Sequence, residues 1–261
     1  MTDSHTPPRF TRAIVRKPGR SLVHGITTAD LGVPDYDLAL RQHAAYVDAL
    51  RKCGLAITEL PALEEFPDST FVEDVALCTR VGAVVTNPGA ASRNGERAHI
   101  RAALEEHFAT MGEIAAPGTL DAGDVMMVGD HFYIGLSART NADGAAQLIT
   151  ILRAWGMDGE AVPLQEVLHL KTGVTYMERG NMLVSGEFVH REVFAKFHRA
   201  VVPAIEAYAA NCLWINDRIL IPDGFPQVAA ALASLGYDLI PLDMSEYQKI
   251  DGGLSCLSLR F

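Results

Sequence analysis

One order of elements, strand–strand–helix–strand, recurs along the chain, and a chain built this way is confined to repeat architectures. The first clear copy runs from FVEDVALCT at Phe71 through VGAVVTN, a helical pattern from about Asn94 to Met111, a stop at Gly112 and the short strand EIAA. The second follows directly: DVMMV, a Gly129-Asp130 hairpin turn, HFYIGL, a helix from about Asp143 to Trp155, a stop at Gly156 and EAVPL. A third is read from VTYM and MLVSG followed by a helix near Glu192 to Tyr208. A fourth is CLWI, Asn216-Asp217, RILIP, a helix from Phe225 to Leu235, Gly236 and YDLIPL. The first helix, Asp37 to Lys52, leads into LAITEL, which completes a unit only if the two termini, FTRAIVRK and SCLSLRF, supply its hairpin. Five units joined through both ends of the chain imply a closed propeller of the α/β class, with an open solenoid as the alternative.

The chain has 261 residues, 49% of them apolar, enough for one large domain. Residues 1–10 read as a flexible tail and 11–261 as a single domain. The net charge of -10 argues against nucleic acid or an anionic membrane as partner, since both demand clustered Lys and Arg. No stretch reaches the roughly 18 apolar residues of a membrane span. Four cysteines, Cys53, Cys78, Cys212 and Cys256, stand far apart with no CxxC pair, which fits neither a disulfide framework nor structural zinc. With no signal peptide, the expected location is the cytoplasm.

In a ring, equivalent loops converge on the axis, so residues that carry chemistry should recur at the repeat interval. Asp74, Asp121, His169 and Cys256 are separated by 47, 48 and 87 residues, and Arg93 and Arg139 by 46. Each has a bland explanation: an Asp before a strand is usually a turn residue, Cys256 lies in an alternating run that suits a buried strand, and most arginines are solvated. The combination is less ordinary. A nucleophilic thiol needs a cationic neighbour, yet this one has acids nearby, including Asp251. Acids beside a nucleophilic sulfur make sense when the ligand itself brings the positive charge, as a guanidinium does.

The segments FPDSTFVED, PGAASRNGE, GTLDAGDVMMVGDHFYIGLSARTN, LHLKTG and SEYQKIDGGLSCLSLRF closely resemble the dimethylarginine dimethylaminohydrolases of the guanidine-modifying amidinotransferase superfamily, over essentially the whole chain from about Ala13. The resemblance implies a five-bladed αβ propeller and hydrolysis of asymmetric dimethylarginine or monomethylarginine to citrulline and an amine. It makes Cys256 the nucleophile, His169 the acid and base, and Asp121 the carboxylate orienting the imidazole, where many bacterial relatives carry glutamate. Asp74 and Asp251 would hold the guanidinium, with Glu73 and Asp68 lining the site. Arg93 and Arg139 would grip the α-carboxylate, and the backbone carbonyls of Ile26 and Ile250 would meet the α-amino group. The loop from Ser21 to Gly32 resembles the family's lid. No cofactor or metal is required, though a divalent ion could bind the cysteine and histidine as an inhibitor, and the expected partner is a small molecule. An exposed strand edge or helix leaves room for a homodimer. The alternatives are an arginine deiminase-like hydrolase acting on another guanidine, and a non-catalytic methylarginine-binding protein.

Overall fold

The computed structural model describes residues 7–261; most of the expected tail therefore lies outside the described residues. Strand β1 (Arg12–Arg16) runs parallel to β2 (Ala56–Leu60) and antiparallel to β15 (Leu259–Arg260), so both ends of the chain do build one sheet. The next four sheets repeat that order within continuous segments. They are β3 (Ala76–Cys78), β4 (Ala83–Val85) and β5 (Met111–Glu113); β6 (Val125–Val128), β7 (His131–Leu136) and β8 (Asp158–Pro163); β9 (Val174–Tyr176), β10 (Asn181–Val184) and β11 (His198–Val201); and β12 (Leu213–Ile215), β13 (Arg218–Pro222) and β14 (Asp238–Leu242). In each, the middle strand pairs antiparallel with the strand before it and parallel with the strand after the connection. A cavity of about 120 Å³ is lined by residues from β3, β6, β9, β12 and β15, one strand from each sheet. The sheets therefore stand round a common axis as a five-bladed αβ propeller.

Helix ends follow local chemistry. Helix α1 (Tyr36–Lys52) starts where the Asp35 carboxylate accepts the Leu38 N–H at 2.9 Å, and its buried face carries Ala39, Tyr46, Val47 and Leu50. Helix α2 (Glu96–Glu105) is shorter than its pattern suggests, while α3 (Ala142–Ala154) is capped by Asn141, whose side chain accepts the Gly144 N–H at 2.8 Å. The helix expected over Glu192–Tyr208 does not form. That segment holds a 3-10 turn at Glu192–Phe194, strand β11, and a second 3-10 stretch at Ala204–Ala210. Pro203 lacks an N–H and disfavours helical geometry at Val202, and the Val201-Val202 pair suits a strand. Two short helices complete the set before and after the last blade's α5 (Pro226–Ser234): α4 (Leu170–Gly173) and α6 (Ser245–Gln248). Among the described residues, no helix is long and apolar enough to cross a membrane.

Phe10, read from sequence as part of the tail, is tied down. Its N–H donates to Asn216 Oδ1 at 3.0 Å, and Asn216 Nδ2 donates to the carbonyls of Phe10 and Cys53 at 2.8 and 3.0 Å. Asn216 also adopts the left-handed backbone of its hairpin turn, φ 47°, which asparagine tolerates and most residues avoid. Asn216→Ala is expected to lower stability by about 2 kcal/mol, through lost hydrogen bonds and backbone strain. Urea unfolding would show this as a lower midpoint at unchanged slope.

Candidate active site

Cys256 lies in a 3-10 turn, Ser255–Leu257, that ends at β15. The turn is fixed from two sides. The Cys256 N–H donates to the Gly253 carbonyl at 3.2 Å, and the Cys256 carbonyl accepts the Glu73 N–H at 3.1 Å. Asn211 accepts the Ser255 N–H at 3.0 Å and donates to Ser255 Oγ and the Lys171 carbonyl at 3.0 and 2.9 Å. It thereby joins the sulfur-bearing turn to the helix that follows His169.

His169 immediately precedes α4, and its Nε2 lies 3.2 Å from Asp121 Oδ2. The other oxygen of Asp121 accepts the Gly89 N–H at 2.9 Å, so the shorter acid still reaches the imidazole. Gly123 lets the groups crowd together: a Cβ there would fall 2.8 Å from both Asp74 Oδ1 and His169 Nδ1, a distance no side chain tolerates.

These residues share one cavity with Ile26, Asp68, Arg93, Arg139, Ile250 and Asp251. Ten of the eleven residues expected from sequence thus meet in one place, together with Phe71, Leu168 and Gly252. Glu73 is the exception. Its carboxylate turns away, to Lys171 Nζ at 2.7 Å and Arg260 Nη2 at 3.0 Å, and borders the axial cavity instead. Arg93 lines the cavity and is held there by several partners. Its guanidinium is buried and donates to Asp74 Oδ2 (2.5 Å), to both oxygens of Glu96 (2.9 and 2.8 Å) and to the carbonyls of Asp68 and Phe71. Arg139, with its side chain 18% exposed and one nitrogen 4.0 Å from Asp121 Oδ2, is the arginine left open to the cavity.

The loop from Ser21 to Gly32 contributes Ile26 to the cavity wall and is pinned beside it by acids. Asp68 Oδ1 accepts the Ile26 N–H at 3.0 Å, and Asp251 Oδ2 accepts both the N–H and the hydroxyl of Thr28, at 2.6 and 3.0 Å. Asp251 itself holds a left-handed backbone, φ 55°, a strained geometry typical of functional sites.

Atoms of Asp74, Asp121 and His169 lie within 4.8 Å of one another. Arg93 engages Asp74 Oδ2, while Asp74 Oδ1 is buried with no hydrogen-bond partner among the described residues. That orphan acceptor suits an N–H donor. Burial opposes the Asp74 charge, yet His169 and Arg93 outweigh it and hold the carboxyl below its ordinary range. Burial also opposes a charge on His169, but Asp74, Asp121 and Asp124 overcome it and raise the imidazole to about 9, so it is an imidazolium at neutral pH. The Cys256 thiol is pushed up to about 12, by burial first and then by Asp74 and Glu73.

Fold and site together are those of the guanidine-modifying enzymes, and residues 57–202 match the family model described as arginine deiminase. Within that class the chain belongs to the dimethylarginine dimethylaminohydrolase family. It is 53% identical to the N(G),N(G)-dimethylarginine dimethylaminohydrolase of Pseudomonas aeruginosa, over 97% of this chain and 100% of that one. The crystal structure of a serine-for-cysteine variant of the enzyme from that organism, complexed with citrulline, superposes with a TM-score of 0.96 at 52% identity, over 97% of this chain and all of the other. A histidine-to-glycine variant of a dimethylarginine dimethylaminohydrolase, solved as an adduct with S-methyl-L-thiocitrulline, matches with a TM-score of 0.95 at 52% identity and the same coverage.

Proposed function

We propose that this chain hydrolyses free Nω-methylated arginines, asymmetric dimethylarginine and monomethylarginine, to citrulline and dimethylamine or methylamine through a covalent cysteine intermediate. The orphan acceptor Asp74 Oδ1, in the cavity that holds Cys256 and the His169–Asp121 pair, carries the reading. A guanidinium placed on it donates N–H bonds to Asp74 and Asp251 and presents its central carbon to the sulfur. Charge-assisted bonds of this kind contribute about 1.5–3 kcal/mol each.

The arriving cation offsets the acids that keep the thiol neutral, and the thiol's proton passes to solvent as the thiolate forms while the guanidinium keeps its own. The thiolate adds to the guanidinium carbon. His169, held as imidazolium, protonates the methylated nitrogen, the C–N bond breaks, and dimethylamine leaves a thiouronium on Cys256. Neutral His169 then takes a proton from water, whose oxygen adds to the same carbon. The C–S bond then breaks as the added hydroxyl gives its proton to the departing sulfur, which releases citrulline and restores the Cys256 thiol. Asp121 keeps the imidazole oriented through both halves. Arg139 pairs with the α-carboxylate, and the carbonyls of Ile26 and Ile250 take the α-amino group, which selects a free amino acid over a peptide side chain. The four free cysteines suit a reducing cytoplasm.

A colour assay for citrulline after incubation with dimethylarginine, monomethylarginine and arginine tests the reading. Turnover of the methylated substrates is expected, with arginine at least about tenfold slower, the scale on which one or two methyl groups discriminate. Preferential release of ammonia from arginine would make the protein a deiminase, and binding without product would make it a sequestering protein.

A further inference from the structure

Asp124 is fully buried and takes no part in the chemistry above, yet burying a carboxylate is costly unless something holds it. Three donors do. Asp124 Oδ2 accepts the hydroxyls of Ser137 and Thr140 at 2.6 and 2.7 Å, and Oδ1 accepts the Leu170 N–H at 2.9 Å. A carboxylate only accepts, so each hydroxyl must spend its single hydrogen on it and turn its lone pairs elsewhere. The Thr140 oxygen accepts the Asp121 N–H at 3.2 Å. The Ser137 oxygen accepts the N–H groups of Arg139 and Thr140 at 3.0 and 3.2 Å. Leu170 is the first residue of α4, next to His169, whose own side chain does not cap that helix. One carboxylate thus reaches three groups of the cavity by three separate links.

We propose that Asp124 is the shared positioning residue of this site, setting Asp121 through Thr140, Arg139 through Ser137, and His169 through the Leu170 N–H. The inference rests on the functional reading above for its kinetic consequences, but not for its structural one. An amide at position 124 strains the network in either orientation: its NH2 faces the Leu170 N–H on one side and, on the other, the Ser137 oxygen, whose two lone pairs already accept the Arg139 and Thr140 N–H groups. It also removes one of the charges that raise His169. The charged and titratable neighbours of that imidazole are Asp74, Asp121 and Asp124, with Cys256, Asp68, Arg93, Arg139 and Asp251 across the same cavity and Glu166 and Lys171 in the pocket on its other side.

Each link has its own readout, with steady-state kinetics on dimethylarginine beside NMR titration of the His169 imidazole in substrate-free protein. Ser137→Ala should raise KM roughly tenfold and leave kcat within about twofold, because Arg139 only binds. Thr140→Val should lower kcat by about tenfold with little change in KM, because Asp121 serves the proton transfers. Asp124→Asn should do both and move the His169 titration to lower pH. Two results would overturn the proposal: folded variants that keep the parent's kcat, KM and His169 titration, or activity that falls only in proportion to the folded fraction while the titration stays put. If Asp124→Asn fails to fold, the opposite KM and kcat signatures of the other two variants decide. A parent that makes no citrulline would sink the functional reading alone, since the imidazole titration needs no turnover.

Discussion

Cys256→Ser should abolish citrulline formation, with kcat falling by at least about 10⁴-fold, while the protein folds and still binds methylarginine. Serine changes one atom in a partly exposed side chain, and the turn that carries it is held by backbone and by Asn211 rather than by the sulfur. The hydroxyl lacks the nucleophilicity of a thiolate and has no free base beside it, because His169 is already protonated at neutral pH. Losses of this order are usual when a covalent nucleophile is removed. Calorimetry with dimethylarginine should therefore give binding close to that of the parent. A serine variant with full turnover would exclude covalent chemistry at this sulfur. The complementary variant, His169→Gly, retains the nucleophile but lacks the acid. It should accumulate a mass-shifted Cys256 from substrate analogues whose leaving group departs without a proton.

How far the sequence reaches is clearest at the ring closure and at the partners of Glu73 and Arg93. The hairpin and stop signals are local: Asn216-Asp217 and Gly129 adopt left-handed backbones in their turns, and Gly156 and Gly236 do so just after α3 and α5. Alternating residues at both termini then supply the first blade by elimination. The blade of β9, β10 and β11 is misread because Val193, Phe194, Phe197 and Val201 match helical spacing, while Pro203 near the end of the stretch disfavours helical geometry at Val202. Convergence of Asp74, Asp121, His169 and Cys256 is legible from the repeat interval because pseudo-symmetry converts sequence spacing into spatial proximity. Individual side-chain directions are not. Glu73 turns to Lys171 and Arg260, partners far along the chain, and no local pattern records that. Arg93 had a visible clue in Glu96, three residues on and on the same side, which captures the guanidinium at both oxygens. Asp124 gave the weaker signal of a second acid in LDAGD, and its role emerges only when Ser137, Thr140 and Leu170 are seen around it.

Asp74→Asn should separate binding from thiol acidity by moving them in opposite directions. Asparagine keeps the shape but gives up the negative charge, so the guanidinium loses its buried counter-ion and kcat/KM should fall about 10²- to 10³-fold, the scale of one or two charge-assisted bonds. The thiol responds the other way. Burial and the Asp74 and Glu73 carboxylates push Cys256 up to about 12; deleting one of those charges lowers that value, so more thiolate exists at any given pH. Reaction of the free protein with a neutral alkylating agent should thus be faster in the variant than in the parent, although turnover is slower. In the parent, that alkylation rate should keep climbing with pH beyond 9 without a plateau. The carboxyl of Asp74 sits below its ordinary range, so its pairing stabilises the fold above the normal carboxylate pKa, and this contribution is lost as pH falls through the depressed one. The variant should accordingly be less stable at neutral pH and converge on the parent in acid. Slower alkylation in Asp74→Asn would mean that Asp74 does not suppress the thiolate, and the argument that the ligand's charge ionises Cys256 would have to be abandoned.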